Sequence, residues 1–226
     1  MGIPKVILQT SVSTPPRWLV RKNLSKTDGT WKYSHFTDED IYRFFDEHKT
    51  DEFANIDEKF RSIRNGAHKS DLFRYFYLFI NGGVYLDTDV ALVAPLDAIV
   101  KGHTFVSVAS TLVPGSMFQG FLASIPGHEI IYRALKDAYT VDQEALDKDS
   151  KLMCRNMFGF YQDHAKKHPE DAARTYEERR YRKWVAKVVD GDGDVLFYHH
   201  WKKPFPPRLG LREYFDHPII NAISRR

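Results

Sequence analysis

The sequence predicts an α/β fold, because a buried helix, a glycine turn and an apolar strand follow one another in its first half. Residues Ser70–Ile80 are apolar on almost every face, so this helix is expected to be largely buried. Asn81-Gly82-Gly83 then ends the helix, as glycines at a helix C-terminus do. The apolar run Val84–Leu86 follows as a strand. A buried helix joined in this way to a buried strand is typical of an α/β sheet rather than of a hairpin.

Other short runs of β-branched and aromatic residues, bounded by turn residues, predict further strands. The first run, Lys5–Gln9, holds Val6 and Ile7 and is expected to be a buried opening strand. The later predicted strands are Thr30–Phe36, Thr104–Val108, Ser116–Phe121 and Val195–Trp201.

Capping residues and apolar periodicity predict the remaining helices. The segment Arg17–Leu24 follows a proline pair, and Thr37 or Asp38 is a suitable N-cap for Glu39–Lys49, whose first turn is acidic. Glu170–Lys187 is expected to be a helix followed by a strand. The other predicted helices are Glu52–Ile63, His128–Tyr139 and Gln143–Lys167. Because no repeat, low-complexity tract or linker interrupts the chain, residues 1–226 are expected to form a single domain.

Composition excludes several classes of function. The net charge of the 226 residues is only +3, which gives no general signal for nucleic acid binding. Basic residues cluster in Arg174–Lys187 and Lys202–Lys203; a surface for an anionic ligand or peripheral membrane contact is one interpretation, and a solvated face is the favoured one. Cys154 is the single cysteine and is expected to be a packed thiol. Without a signal peptide or transmembrane segment in the sequence, a cytoplasmic location is expected, in a bacterium or in a host cell of a virus.

Two aspartates follow the predicted strand Val84–Leu86. In an extended segment, alternate residues point the same way, so Asp87 and Asp89 are expected to converge at the carboxyl end of the strand, where open α/β sheets bind ligands. Two close carboxylates repel each other unless a cation lies between them. Hard divalent cations use such carboxylates together with substrate phosphates. The pattern therefore predicts a metal that neutralises a pyrophosphate leaving group, whereas a plain polar turn is the alternative.

A second polar group lies one helix upstream. Asp71 and Arg74 are three residues apart and hence share one face of an otherwise apolar helix. One interpretation is a local ion pair. The other is a site in which the carboxylate binds sugar hydroxyls and the guanidinium neutralises charge on a leaving group.

Three segments carry a family resemblance. The block "KSDLFRYFYLFINGGVYLDTDV" resembles the Asp-x-Asp sugar-binding region of the glycosyltransferases related to initiation-specific mannosyltransferase and the capsular polysaccharide sugar transferases. It is more distantly similar to the glucosylating domains of large clostridial toxins. The opening "IPKVILQT" resembles the first strand of that family, and "FYHHWK" at residues 197–202 resembles its late His-His-Trp motif. The resemblance covers about the first 110 residues well and the remainder only through isolated motifs.

This resemblance implies a GT-A fold, with a Rossmann-like and mostly parallel central sheet. It implies a UDP- or GDP-sugar as donor, a Mn²⁺ or Mg²⁺ ion as cofactor and retention of the anomeric configuration. Residues 1 to about 110 would form the nucleotide-sugar half, and residues 111–226 the acceptor half. Leu8 stands where the family often has histidine, so any role of that imidazole is absent here.

The resemblance also implies roles for individual residues. Asp87 and Asp89 would hold the metal and the donor diphosphate. Asp71 and Arg74 would contact the donor sugar. The residues expected near the donor are Ser70 and Tyr85 beside the sugar and Gln9 and Thr10 beside the nucleotide.

The second half offers further candidates. His199 and His200 are neighbours on the last predicted strand, so at most one faces the site, and His199 is favoured as a third metal ligand. Gln119 is expected near the donor sugar, with a loop amide as the alternative. Lys202 or Lys203 is expected to neutralise the departing diphosphate, with a solvated surface lysine as the alternative. The run Asp190–Asp194 lacks the spacing of an EF-hand and predicts a tight turn.

Together these features predict a metal-dependent glycosyltransferase that moves a hexose from a nucleotide-diphosphate sugar to a glycan or another hydroxyl acceptor. One alternative is a hydrolase of nucleotide sugars, which product analysis with and without acceptor would distinguish. The other is a non-catalytic module that binds nucleotide sugars or carbohydrates. The intact set of Asp71, Arg74, Asp87 and Asp89 argues against this module.

Overall fold

Strands from both halves of the chain form one sheet. The structure is a computed structural model that describes residues 2–200. The sheet has the strand order β2-β1-β3-β7-β5-β8-β9-β10-β4, and β6 pairs with β5 at its side. The strands are β1 (Val6–Thr10), β2 (Lys32–Phe36), β3 (Gly83–Leu86), β4 (Val90–Leu92), β5 (Phe105–Ser110), β6 (Ser116–Met117), β7 (Phe121–Ser124), β8 (Ala173–Arg182), β9 (Val185–Val189) and β10 (Val195–His200).

Helices cover the sheet. They are α1 (Arg17–Leu24), α2 (Asp38–His48), α3 (Ile56–Ser62), α4 (Gly66–Asn81), α5 (Leu96–Val100), α6 (Glu129–Thr140), α7 (Gln143–Lys148) and α8 (Leu152–Lys167), with a short 3₁₀ turn at Asp51–Phe53. None of these helices is long and apolar enough to cross a membrane.

The α/β class is confirmed, but the sheet is mixed rather than mostly parallel. Strands β1–β2, β1–β3 and β5–β8 pair in parallel, whereas the other pairings in the described chain are antiparallel. The reason lies in the connections: β8, β9 and β10 are joined by short turns, and a short turn can join only antiparallel neighbours. The turn between β9 and β10 is the one predicted at Asp190–Asp194.

Most predicted elements are confirmed within a few residues, and one is wrong. The first part of Glu170–Lys187 is not helical, because Ala173–Arg182 forms β8 between β5 and β9. Hydrogen bonding along both edges outweighs the charged composition of the segment. Strand β4 and helix α5 were not predicted. The predicted helix Gln143–Lys167 is divided into α7 and α8, and the predicted strand Ser116–Phe121 is interrupted by a turn between β6 and β7.

Helix α4 is buried between the sheet and the other helices. Its side chains Leu72, Phe73 and Phe76 are fully buried and pack with aromatic rings of α2 such as Phe44 and Phe45. The helix begins at the N-cap Asn65, whose side chain accepts a hydrogen bond from the backbone of α4, several residues before the predicted start. The burial of α4 holds its N-terminal half beside the end of β3.

The glycine turn between α4 and β3 is required by close packing. Gly82 has a φ of +65°, and a Cβ atom there would lie 2.7 Å from the carbonyl oxygen of Ser124. Only glycine adopts this conformation at low cost in so little space. The turn therefore sets β3 against β7 and brings the aspartates that follow β3 to the same edge as the N-terminal half of α4.

Candidate active site

A cavity of about 580 Å³ opens where the N-terminal half of α4, the β3–β4 turn and the ends of β5, β8 and β10 meet. It is lined by polar side chains near its base and by apolar side chains from the segment between β5 and β7. The lining residues are Ala67, His68, Asp71, Arg74, Asp87, Asp89, Ser110, Leu112, Val113, Ser116, Met117, Phe118, Gln119, Gly120, Ser150, Lys151, Cys154, Glu178, Arg180 and His199.

Asp87 and Asp89 both line this cavity, but a turn rather than an extended segment places them there. The backbone N–H of Val90 donates to the carbonyl of Asp87 at 3.1 Å, which closes a tight turn, and the N–H of Asp87 donates to the carbonyl of Gly120 at 2.8 Å. The two interpretations drawn from the sequence, a polar turn and a convergent carboxylate pair, therefore describe the same segment.

The carboxylate of Asp89 has an unsatisfied oxygen. Its Oδ1 atom is buried and has no hydrogen-bond partner in residues 2–200. Burial raises the pKa of Asp89, and the nearby charge of Asp87 raises it further, whereas His199 lowers it. A buried carboxylate oxygen without a partner is costly unless a ligand satisfies it. The donor set fits a hard divalent cation in the cavity.

His199 faces Asp89 from β10. Its Nε2 atom lies 3.7 Å from Asp89 Oδ2, and its Nδ1 atom lies 3.1 Å from Glu178 Oε1. Burial lowers the pKa of His199, but the two carboxylates raise it to about 9. The neighbouring His200 is also buried and does not line the cavity; its backbone N–H donates to the carbonyl of Asp89 at 3.1 Å. The structure thus brings His199 to the aspartates, and His200 contributes a backbone contact.

Arg74 joins the polar residues of α4 to the Asp-x-Asp turn. Its Nη2 atom lies 3.5 Å from Asp71 Oδ1 and 3.6 Å from Asp87 Oδ1. Its guanidinium lies 4.0 Å from the centre of the Tyr85 ring, and it donates hydrogen bonds to the backbone carbonyls of Ser70 and Gln119. Burial alone would lower the pKa of Arg74, but Tyr85, Asp71 and Asp87 raise it, so the side chain stays charged. Burial raises the pKa of Asp71, and Arg74 counteracts that rise.

A hydrogen-bonded layer supports Asp87 from behind. The Tyr85 hydroxyl donates to Asp87 Oδ1 at 2.8 Å, and Gln9 Nε2 donates to the Asp87 carbonyl at 3.1 Å. Thr10 Oγ1 lies 3.1 Å from the Tyr85 hydroxyl and 3.2 Å from Ser70 Oγ. None of these four residues lines the cavity: Tyr85 and Gln9 contact Asp87 directly, and Thr10 and Ser70 support them from further back.

Gln119 lies in the cavity wall opposite α4. Its Nε2 atom donates to Met157 Sδ at 3.4 Å, whereas its buried Oε1 atom has no partner in the described part of the chain. An unpaired buried amide oxygen can accept a ligand hydroxyl. Lys202 and Lys203 lie outside the described residues.

Residues 18–106 match the family described as "Glycosyltransferase sugar-binding region containing DXD motif". This part of the chain is thus similar to a glycosyltransferase sugar-binding region. This region includes α4, Arg74 and both aspartates of the turn.

Curated fungal proteins similar to this chain are described as transferring or adding mannose. Inositol phosphoceramide mannosyltransferase 1 of Schizosaccharomyces pombe is 29% identical over 139 residues, which are 59% of this chain and 42% of the relative. Mannosyl phosphorylinositol ceramide synthase SUR1 of Saccharomyces cerevisiae is 29% identical over 144 residues, 62% of this chain and 36% of the relative. The chain therefore spans roughly two fifths of the length of these relatives.

A solved structure shares the fold of the chain. The structure described as PaToxG Glycosyltransferase aligns with a TM-score of 0.54 and 15% identity, over 74% of this chain and 70% of that one. This similarity supports the GT-A fold expected from the sequence. It concerns the fold alone.

Several residues that line the cavity were not predicted to lie there. Glu178 is 2% exposed and accepts a hydrogen bond from Ser110, so it anchors His199 from β8. Its position gave no sequence signal, because it lies in a run of charged residues that also fits a solvated surface. Lys151 and Cys154 come to the cavity from the start of α8. Burial raises the pKa of the Cys154 thiol to about 12, so it is a neutral packed group.

Gly120 offers a test of how closely the side chains around the Asp-x-Asp turn are packed. A Cβ atom at this position would lie 2.7 Å from Asp87 Oδ2 and 2.2 Å from the ring of Phe118, which itself packs on His199. We expect Gly120→Ala to displace both side chains and to lower donor turnover at least tenfold, with a loss of about 1–3 kcal/mol in unfolding free energy. Steady-state kinetics and urea unfolding measure the two effects.

Gly159→Ala is the matched control for this substitution. Gly159 lies inside α8, and a Cβ atom there would meet nothing within 4 Å. Alanine should stabilise this helix by up to about 1 kcal/mol and leave turnover unchanged. Equal turnover in the two variants would contradict the packing argument for Gly120.

Proposed function

We propose that this chain is a metal-dependent glycosyltransferase that moves a hexose from a nucleotide-diphosphate sugar to a hydroxyl acceptor with retention of configuration. The observation that carries the proposal is the buried Asp89 Oδ1, which has no hydrogen-bond partner among residues 2–200 and lies in a cavity that also holds Asp87 and His199. A divalent cation would satisfy that oxygen and offset the repulsion between the two carboxylates.

The proposed ligands are Asp87, Asp89 and His199. Two carboxylates and an imidazole suit Mn²⁺ well, and Mg²⁺ is the second candidate. When bound, such an ion supplies Lewis-acid stabilisation of the negative charge on a departing nucleoside diphosphate. The protein holds these ligands in one orientation. Glu178 hydrogen-bonds to the imidazole of His199, and Tyr85 and Gln9 donate hydrogen bonds to Asp87.

Donor sugar recognition is assigned to Asp71 and Gln119. Both line the cavity: Asp71 is a carboxylate held by Arg74, and the amide oxygen of Gln119 has no hydrogen-bond partner within the described chain. Acceptor-capable oxygens of this kind bind sugar hydroxyls. Arg74 is a positioning residue in this scheme, because its guanidinium is already engaged by protein groups on every side.

The proposed donor sugar is mannose. The two fungal relatives are described as an inositol phosphoceramide mannosyltransferase and a mannosyl phosphorylinositol ceramide synthase, and each aligns with about three fifths of this chain. The acceptor hydroxyl would enter past the apolar rim formed by Leu112, Val113 and Phe118. It would attack the anomeric carbon on the face that the diphosphate leaves, through an oxocarbenium-like transition state, and its proton would pass to the departing diphosphate oxygen as the anomeric C–O bond breaks.

A donor screen tests the proposal. Purified protein is incubated with GDP-mannose, UDP-glucose, UDP-galactose or UDP-N-acetylglucosamine and Mn²⁺, and released nucleotide is measured with and without mannosides and inositol phosphoceramide. Transfer requires nucleotide release, a new glycoside that depends on acceptor, and the loss of both after chelation. The anomeric proton of the product, read by NMR, reports retention or inversion.

Each other outcome of the screen would indicate a different function for this protein. Release that is equal with and without every acceptor would indicate a nucleotide-sugar hydrolase. Donor binding by calorimetry without release would indicate a binding module. Either outcome would contradict the proposed transfer.

A further inference from the structure

A second cluster of metal-ligating side chains lies at the opposite end of β5 from the active-site cavity. Ser110, at the end of β5, lines that cavity, whereas Thr104, just before β5, donates a hydrogen bond to Asp171 in the cluster. Six residues of extended chain separate these two points by about 20 Å. The cluster borders its own cavity of about 400 Å³. It is therefore separate from the Asp-x-Asp turn.

Three side chains in the cluster present ligand atoms at metal-site spacing. Glu129 Oε2 lies 3.2 Å from His164 Nδ1 and 3.4 Å from His168 Nε2. Atoms bound to one tetrahedral zinc at about 2.0–2.1 Å lie about 3.3 Å apart. His164 and His168 are four residues apart at the C-terminal end of α8, a spacing that places two imidazoles on one helical face.

The hydrogen bonds of the neighbouring His128 show which of its ring nitrogens donates to Asp171. The backbone N–H of Ile130 donates to His128 Nδ1 at 3.2 Å, so the neutral ring carries its proton on Nε2. That Nε2 lies 3.1 Å from Asp171 Oδ2, to which it donates. His128 is thus a donor to Asp171 and not a free ligand.

The same carboxylate fixes the tautomer of His164. His164 Nε2 lies 2.7 Å from Asp171 Oδ2 and donates to it. In the neutral ring, Nδ1 then presents a lone pair towards Glu129 Oε2, so two acceptors face each other at 3.2 Å. A cation between them removes that conflict.

A carboxylate also lies near the second ring nitrogen of each imidazole, as in many metal sites. Asp171 binds the far nitrogen of His164, and Glu170 Oε1 lies 3.4 Å from His168 Nδ1. A carboxylate on the second ring nitrogen orients metal-bound histidines and makes them better ligands. The carbonyl end of α8, where both histidines lie, also favours a positive charge.

We propose that Glu129, His164 and His168 bind a Zn²⁺ ion that ties the start of α6 to the end of α8. Two imidazoles and one carboxylate suit zinc better than the hard cations expected at Asp87 and Asp89. A fourth position remains open to the adjoining cavity. The competing arrangement is a protonated His164 that bridges Asp171 and Glu129 without any metal, and the experiment separates the two.

Zinc binding to untagged, chelator-treated protein tests the site. Equilibrium dialysis against buffered Zn²⁺ gives the affinity, and Co²⁺ substitution gives visible d–d absorption from a tetrahedral site. We expect one bound ion and its absorption band to persist in Asp89→Asn. Glu129→Gln and His168→Ala should each weaken binding by at least about tenfold and abolish the band. Glu129 and His168 have partly exposed side chains, so both variants should fold.

His103→Ala serves as the histidine control. His103 lies beside the cluster, with Nδ1 3.1 Å from the carbonyl of Ala172, and offers no ligand atom to it. The zinc affinity of the His103→Ala variant should equal that of the parent protein. No zinc binding by the parent protein, or unchanged binding in both Glu129→Gln and His168→Ala, would overturn the proposal and leave the protonated bridge as the explanation of the cluster.

Discussion

Asp89→Asn will abolish metal-dependent turnover of the donor and leave the fold intact. The substitution keeps the size of the side chain but removes the charge that a divalent cation needs, and Asp89 Oδ1 has no protein partner to lose among the described residues. It also relieves the repulsion that raises the pKa of Asp89 beside Asp87. Removing charge stabilisation of a leaving group costs about 10²–10³-fold or more in rate. Stability without metal should change by less than about 1 kcal/mol.

Three measurements check this result together. Nucleotide release from the donor should fall to background, Mn²⁺ binding by calorimetry should weaken, and the midpoint of urea unfolding should stay near that of the parent protein. Asp87→Asn should act in the same direction, with an added structural cost, because Asp87 accepts from the Tyr85 hydroxyl and lies near Arg74. Asp46→Asn, on an exposed aspartate of α2, is the matched control. Full turnover in both Asp87→Asn and Asp89→Asn would refute their proposed role.

Arg74→Met should reduce both stability and turnover severely. The buried guanidinium balances Asp71 and Asp87 and donates to two backbone carbonyls, so its loss leaves the buried Asp71 carboxylate without its cation. Removing one partner of a buried ion pair costs about 3–5 kcal/mol. Urea unfolding followed by tryptophan fluorescence measures this loss, and donor turnover is measured in parallel.

The double variant Asp71→Asn/Arg74→Met separates positioning from stability. With both charges removed, the unpaired buried carboxylate is gone, so much of the lost stability should return. Turnover should not return, since Asp87 would still lack Arg74 and the donor would lack the Asp71 carboxylate. Recovery of both stability and turnover would show that the pair has only a structural role and would contradict the donor-binding assignment.

Local sequence signals predicted the elements that position the site well. The glycine pair after Ile80 ends α4, and Thr37 forms a capping box with Asp40 at the start of α2, as the capping pattern implied. Asp71 and Arg74 meet as an ion pair because three residues of helix separate them. The further contact of Arg74 with Asp87 was not predicted, because it depends on how α4 packs against β3.

Long-range pairing explains what could not be predicted. The segment Ala173–Arg182 is a strand because β5 and β9 offer it hydrogen bonds on both edges, and this outweighs its charged composition. That pairing buries Glu178 against His199, although nothing near Glu178 in the sequence distinguishes it from its charged neighbours. The Asp-x-Asp segment is a turn because Gly120 pairs with Asp87, an interaction across more than thirty residues of chain.

The sequence by itself determined the α/β class, the buried helix α4 with its glycine stop, and the carboxylates that follow β3, because each of these depends on residues close together in the chain. The tertiary structure decided that the sheet is mixed, that His199 rather than His200 faces Asp89, and that Glu178, Gly120 and Gln119 complete the cavity. It also brought Glu129, His164 and His168 together from two helices. Those outcomes depend on which distant strands and helices pack against each other. The free energy that selects this packing comes from burial and strand pairing across the whole sheet rather than from any local pattern.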